Sequence, residues 1–100
     1  MKMYRHGDLL MVAVDRIPAT CREIDRDILA EGEVTGHAHR IHGATVLEDG
    51  EDLTYLRITD EGAIVTHEEH GPLSLPPGYY RVVHQREYDP YEEAAWRVQD

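Results

Sequence analysis

The hydrophobic residues of this chain fall in short blocks separated by clusters of Gly, Pro, Asp and Glu. Such punctuation predicts strands and turns rather than long helices. Asp8-Leu9-Leu10-Met11-Val12-Ala13-Val14 is the most apolar block. An unbroken run of strand length predicts a strand covered on both sides. Asp15-Arg16-Ile17-Pro18 ends it, because Pro18 lacks an amide donor and holds Ile17 extended. Ile24 and Ile28 fit one helical turn or, with Arg26, one face of an edge strand. The β character of the remaining chain favours a hairpin arm over 22–30.

Gly32 and Gly36 allow the backbone to bend before a short strand from His37 to Ile41, closed by His42-Gly43. Ala44-Thr45-Val46-Leu47, the polar turn 48–52 with its Asp49-Gly50 step, and Leu53 to Ile58 form the clearest hairpin pattern. Asp60-Glu61-Gly62 turns the chain into Ala63-Ile64-Val65-Thr66, which runs straight into His67. Gly71-Pro72, a short Leu73-Ser74-Leu75 piece and Pro76-Pro77-Gly78 lead to a long strand over 79–88. Asp89-Pro90-Tyr91-Glu92 carries the signals of a helix start, with a final strand through Trp96-Arg97-Val98 as the alternative. About seven short β segments in one chain of this length predict an all-β domain over residues 1–100. A small barrel or sandwich, with or without a short C-terminal helix, is the expected form.

Charge narrows the function classes. Twenty acidic against ten basic residues give a formal charge of -10, spread along the whole chain. That surface repels phosphate backbones and anionic headgroups, so neither nucleic acid nor a membrane is an expected partner. The run from Leu9 to Val14 is too short for a signal core or a membrane span. The single Cys21 has no intrachain partner, and a reducing, cytoplasmic setting is expected.

The candidate chemistry lies in histidines. Gly36-His37-Ala38-His39 is answered about thirty residues later by His67-Glu68-Glu69-His70. Residues two apart on a strand share a face, so His37 and His39 are expected to project side by side. Imidazole nitrogen is the commonest ligand for zinc, copper, nickel and iron, and a site needs three or four donors that converge. If the second segment continues as a strand it offers His67 with Glu69, and if it turns it offers His67 with His70. The expected ligands are therefore His37, His39 and His67, with Glu69 or His70 as a fourth. Glu68 and Glu69 are the candidate general bases beside a metal-bound water. His42 and His84 read as structural, and His6, near the start of the chain, reads as solvent-exposed. Tyr79, Tyr80, Tyr88 and Tyr91 read with Trp96 as aromatic packing in a chain without Phe.

Two resemblances add to this. The His37-Ala38-His39 pair, with Pro76-Pro77-Gly78 downstream, resembles the two-motif layout of the cupin superfamily of metal-binding β-barrels. The match departs from the pattern where Gly43 or Ala44 stands for the cupin glutamate and Arg81 for the last histidine. The stretches 30–39 and 66–70, with Leu75-Pro76-Pro77-Gly78 and Gln85-Arg86-Glu87-Tyr88, resemble an uncharacterised family of short bacterial proteins. The resulting expectation is a small cupin-like protein holding zinc, iron, nickel or manganese, with catalysis left open. The competing expectation is a non-catalytic acidic module that pairs through its edge strands with another copy or a protein partner. Its histidines would then be structural or pH-sensing.

Overall fold

The computed structural model describes residues 2–31, 36–50 and 53–84, and among these every regular element is a strand. The strands are β1 (Met3–His6), β2 (Leu9–Val14), β3 (Arg22–Ile24), β4 (Ile28–Glu31) and β5 (Ala38–His42). They continue as β6 (Ala44–Glu48), β7 (Thr54–Ile58), β8 (Ala63–Thr66), β9 (Leu73–Leu75) and β10 (Gly78–His84). Two antiparallel sheets result, a six-stranded one in the order β1-β2-β10-β7-β6-β3 and a four-stranded one in the order β4-β5-β8-β9. Neither closes on itself, so the expected barrel is not formed. The proposed C-terminal helix, its strand alternative and the end of the 79–88 strand lie outside the described residues.

Local sequence explains most of the pairing. The hairpin expected over 44–58 forms with Glu48 opposite Thr54, and its turn is tied where the Leu53 amide donates to the Asp49 carboxylate at 3.3 Å. A second hairpin joins β1 to β2 through Gly7-Asp8, with His6 opposite Leu9. Gly7 sits at φ +62, a conformation that glycine adopts without a Cβ clash.

The expected hairpin arm over 22–30 does not form. β3 pairs with β6 in the larger sheet and β4 with β5 in the smaller one. The exposed Asp25-Arg26-Asp27 link therefore carries the chain from one sheet to the other. Neither short piece offers enough apolar side chain to hold the other, and each finds a longer partner instead.

Both sheets feed one apolar cluster. Leu9, Met11, Val46, Leu56, Ile58, Tyr80 and Val82 come from the larger sheet, and Leu29, Ile41, Ala63, Val65 and Leu75 from the smaller. Along β2 the alternation is visible: Leu9 and Met11 are fully buried while Leu10, Val12 and Val14 are half-buried. The strand expected to be covered on both sides is covered fully on one face and partly on the other. Leu56 has no exposed surface, and truncating it removes buried methyl groups from the centre of the cluster. We expect Leu56→Ala to lower the unfolding free energy by about 2–5 kcal/mol, read from urea unfolding.

Candidate metal centre

The β5–β8 ladder places the two histidine segments together. Its register sets Arg40 opposite Thr66, Ile41 opposite Val65 and His42 opposite Ile64. Extended by one step, that register brings the chain around His39 against the turn that starts at His67. The Ala38 amide donates to Glu68 Oε2 at 2.9 Å and fastens the turn to the start of β5. From the other sheet, the β1–β2 turn closes over the same spot and delivers His6 and Asp8.

Five imidazoles thereby gather in one cluster: His6, His37, His39, His67 and His70. His67 is central, with ring centroids 4.4 Å from His39, 4.7 Å from His70, 5.6 Å from His37 and 6.4 Å from His6. His39 and His70 are near-parallel at 5.9 Å. His37 lies just before β5, not in it, and packs, like His39, against His67.

His6 is the residue that sequence reasoning misplaced. It is buried, not exposed, and bonded on both ring nitrogens. Its Nε2 donates to the Gly71 carbonyl at 2.8 Å, because a carbonyl can only accept. In neutral His6 the Nδ1 is then the acceptor, and His39 Nδ1–H donates to it across 2.9 Å. His39 Nε2 is left with its lone pair, 3.6 Å from Asp8 Oδ1. The available signal was the Gly7-Asp8 step before the apolar run, a two-residue hairpin turn that makes Met3–His6 a strand.

Burial pushes the pKa of His39 down from 6.5 to about 4, helped by His67, His6 and His70 and opposed by Asp8. Glu68 is held below the ordinary carboxylate range, first by the Ala38 amide, then by its own amide and by His37 and His67. The Glu69 amide donates to His67 Nδ1 at 3.0 Å, so neutral His67 carries its proton on Nε2. Glu69 Oε1 is 3.4 Å from His37 Nδ1. His42, as expected, stands apart, with its Nε2 against Thr66 Oγ1 at 3.1 Å. His84 lines a different cavity with Arg26, Glu31 and Thr54.

Among the described residues one set can converge on an ion. Single donor atoms of His37, His67 and Glu68 lie within 4.8 Å of one another. Metal–ligand bonds of about 2.0–2.2 Å hold their donors about 3–3.5 Å apart, inside that limit. To take an ion the set must give up the Glu69 N–H bond to His67 Nδ1, whether the ion takes Nδ1 or takes Nε2 and sends the ring proton to Nδ1. Of the expected ligands, His37 and His67 belong to this set. His39, His70 and Glu69 surround it, and Glu68 takes the carboxylate place.

The fold and this cluster define a two-sheet, all-β protein whose sheets meet at a histidine-rich corner. Residues 5–85 match the family described as Domain of unknown function (DUF8820), and the chain belongs to that family. The matched span contains all five clustered histidines. No curated protein and no solved structure matches the chain. The expected kinship with an uncharacterised family is thus met, whereas the cupin resemblance finds no support. Gly78 and Arg81 lie on β10 of the larger sheet, with Arg81 exposed opposite Val12 and Tyr55, while His39 sits in the smaller sheet. The two supposed cupin motifs do not form a common ligand set. Among the described residues no helix is long and apolar enough to cross a membrane.

The depressed pKa of His39 has a measurable consequence. Below pH 6.5 the unfolded chain takes up a proton that the folded chain refuses until about pH 4, so folding stability falls as pH drops through that window. The His39 contribution is at most about 3 kcal/mol, at roughly 1.4 kcal/mol per pKa unit. Urea unfolding of the metal-free protein at pH 7 and pH 4 should show this loss, and His39→Gln should flatten it. An unchanged slope in the variant would assign the pH dependence to other groups. Gly7→Ala tests the turn: a Cβ there would sit 3.0 Å from His39 Cε1 and 2.9 Å from His70 Nε2, at positive φ. We expect it to destabilise by about 1–3 kcal/mol in the same assay.

Proposed function

We propose that this protein binds one divalent transition-metal ion through His37, His67 and Glu68. The observation that carries this reading is the convergence of two imidazoles and an ionised carboxylate at one corner. Two imidazoles with one carboxylate suit zinc, and equally the iron(II) sites that keep open positions. Manganese and nickel are accepted by the same donors with less selectivity. His39 and His70 pack against His67 and hold its ring, as groups around a metal ligand commonly do.

A bound ion with open positions would supply Lewis acidity or a water of lowered pKa. Around it, this chain offers Glu69 as the carboxylate best placed to take a proton, since it stands beside His37 without belonging to the donor set. Glu68, weighed as a base on sequence grounds, is better used as a ligand because the Ala38 amide fixes it. Hydrolysis or oxygen chemistry on a small molecule is the reaction class that such a site supports. Binding of the ion is the central claim.

The test is elemental analysis of protein purified without a histidine tag and without chelator. We expect about one equivalent of metal per chain, as a single three-donor site holds one ion. His37→Ala/His67→Ala should abolish it while far-ultraviolet circular dichroism stays that of the folded chain. Glu68→Gln should weaken binding by at least about tenfold, and Glu69→Gln should leave it nearly intact. Metal-free protein that takes up neither added zinc nor iron(II) under anaerobic conditions would overturn the reading.

A further inference from the structure

A cleft lies on the larger sheet, away from the histidines. β2 and β3 are separated in that sheet by β10, β7 and β6, so the chain between them must cross three strands. It crosses on the face opposite the core. Leu47, Arg57 and Tyr79 alternate along their strands with the core residues Val46, Leu56 and Tyr80, and therefore project from the other side. Leu47 and Tyr55 on that outer face are nevertheless buried, so the face is covered there. Arg16, Ile17, Pro18 and Cys21 of the crossing segment and Leu47, Arg57 and Tyr79 of the sheet enclose a cleft of about 320 Å³. The segment's bend is set where the Cys21 amide donates to the Pro18 carbonyl at 3.1 Å.

The lining is mixed in a specific way. Ile17, Pro18 and Leu47 supply apolar wall, and Tyr79, a residue 40% exposed, supplies the flat surface of its ring. Arg57 stands opposite Tyr79 in the β10–β7 register and is ion-paired on one side to Glu23. Its planar fork has five donors, so one carboxylate partner does not exhaust it. Arg16 is exposed and has no ion-pair or hydrogen-bond partner among the described residues. Its volume lies at the small end of the range of small-molecule sites, about 300–1,000 Å³, and it combines apolar wall with a few placed polar groups.

We infer that this cleft binds a small amphipathic carboxylate, with the anionic end held by Arg16 and Arg57 and an apolar or aromatic body laid against Tyr79, Ile17 and Leu47. Net charge decides the class of anion. A chain of -10 repels polyanions at long range, which disfavours nucleotides and polyphosphates. A single carboxylate meets less of that repulsion and gains a bidentate contact with guanidinium at close range.

Cys21 provides a built-in reporter, because it is the only cysteine of the chain and lines the cleft. Its burial and the Asp49 carboxylate push the thiol above its ordinary pKa, so labelling is run at alkaline pH. The probe is phenylacetate, with benzyl alcohol as its uncharged counterpart and inorganic phosphate as an anion without an apolar body. Iodoacetamide labelling is timed by mass spectrometry, and titration calorimetry is run in parallel on the same full-length chain.

Phenylacetate at about ten times its dissociation constant should slow labelling by about tenfold. Benzyl alcohol and phosphate should each protect several-fold less. Arg16→Gln, which alters an exposed side chain, should label at the unprotected rate with phenylacetate present. Four results would each overturn the inference. They are no protection and no binding heat with phenylacetate, equal protection by benzyl alcohol, equal protection by phosphate, or full protection in Arg16→Gln. The histidine variants His37→Ala/His67→Ala should leave the phenylacetate effect unchanged, which separates this result from the fate of the metal site.

Discussion

The histidine corner depends on the register between β5 and β8. With Arg40 set opposite Thr66, the first residues of β5 lie beside the His67–His70 turn, and the Ala38 amide reaches Glu68. Side chains alternate along a strand, so a slip of one residue would turn Ile41 and His39 away from the buried side together. The apolar pair Ile41 and Val65, both buried and opposite one another, fixes that register from within the core. The chemistry of the corner is thus set by a hydrophobic contact two residues away from it. The second sheet then closes the corner with a turn, since Gly7 gives the β1–β2 link the tight bend that delivers His6 and Asp8.

Burying imidazoles is a poor way to stabilise a small core. Each carries two nitrogens that need partners, and protonation of any one opposes protonation of the next. Here the demand is met closely: among the described residues no buried side-chain nitrogen or oxygen lacks a hydrogen-bond partner. His6 is saturated by Gly71 and His39, and His39 is kept neutral by its surroundings. The result is a neutral His39 packed against the converging set. Beside it the Ala38 amide holds Glu68 in its charged form, the state in which a carboxylate can take a divalent ion. Packing alone would be served as well by leucine at these positions and with fewer polar groups to satisfy.

Much of this was legible in the chain, for identifiable reasons. The 44–58 hairpin announced itself through the Asp49-Gly50 step between alternating segments, and the two histidine segments, whose meeting the metal reading required, are brought together by the β5–β8 ladder rather than across a barrel. The expectation that His37 and His39 share a strand face applied a period of two to a strand that begins only at Ala38; the two imidazoles meet at His67. His6 escaped because its role depends on a contact between sheets, with 33 residues separating it from His39. Spacing left the fourth donor between Glu69 and His70 and offered Glu68 only as a base. That Glu68 lies near His37 and His67 depends on a turn fastened by one backbone hydrogen bond, from Ala38 to Glu68, which spacing does not show. The 22–30 segment misled because two strands adjacent in sequence can be held apart by stronger partners in different sheets.

One strand links the two candidate sites. β2 begins at Leu9, beside the turn that carries His6 and Asp8, and ends at Val14, opposite Tyr79 at the rim of the cleft. Five residues of extended chain set the two ends about 17 Å apart. The regions share no residue, and the sign of the chain's charge acts on them in opposite ways. An acidic surface concentrates divalent cations around the protein and so favours loading of the histidine corner. The same field opposes every anion that approaches the cleft, and therefore leaves recognition there to short-range contact with guanidinium and apolar wall. A ligand that satisfies Arg16 and Arg57 must offset that field with the fit of its apolar body, so the carboxylate and the apolar body are both required for affinity at the cleft.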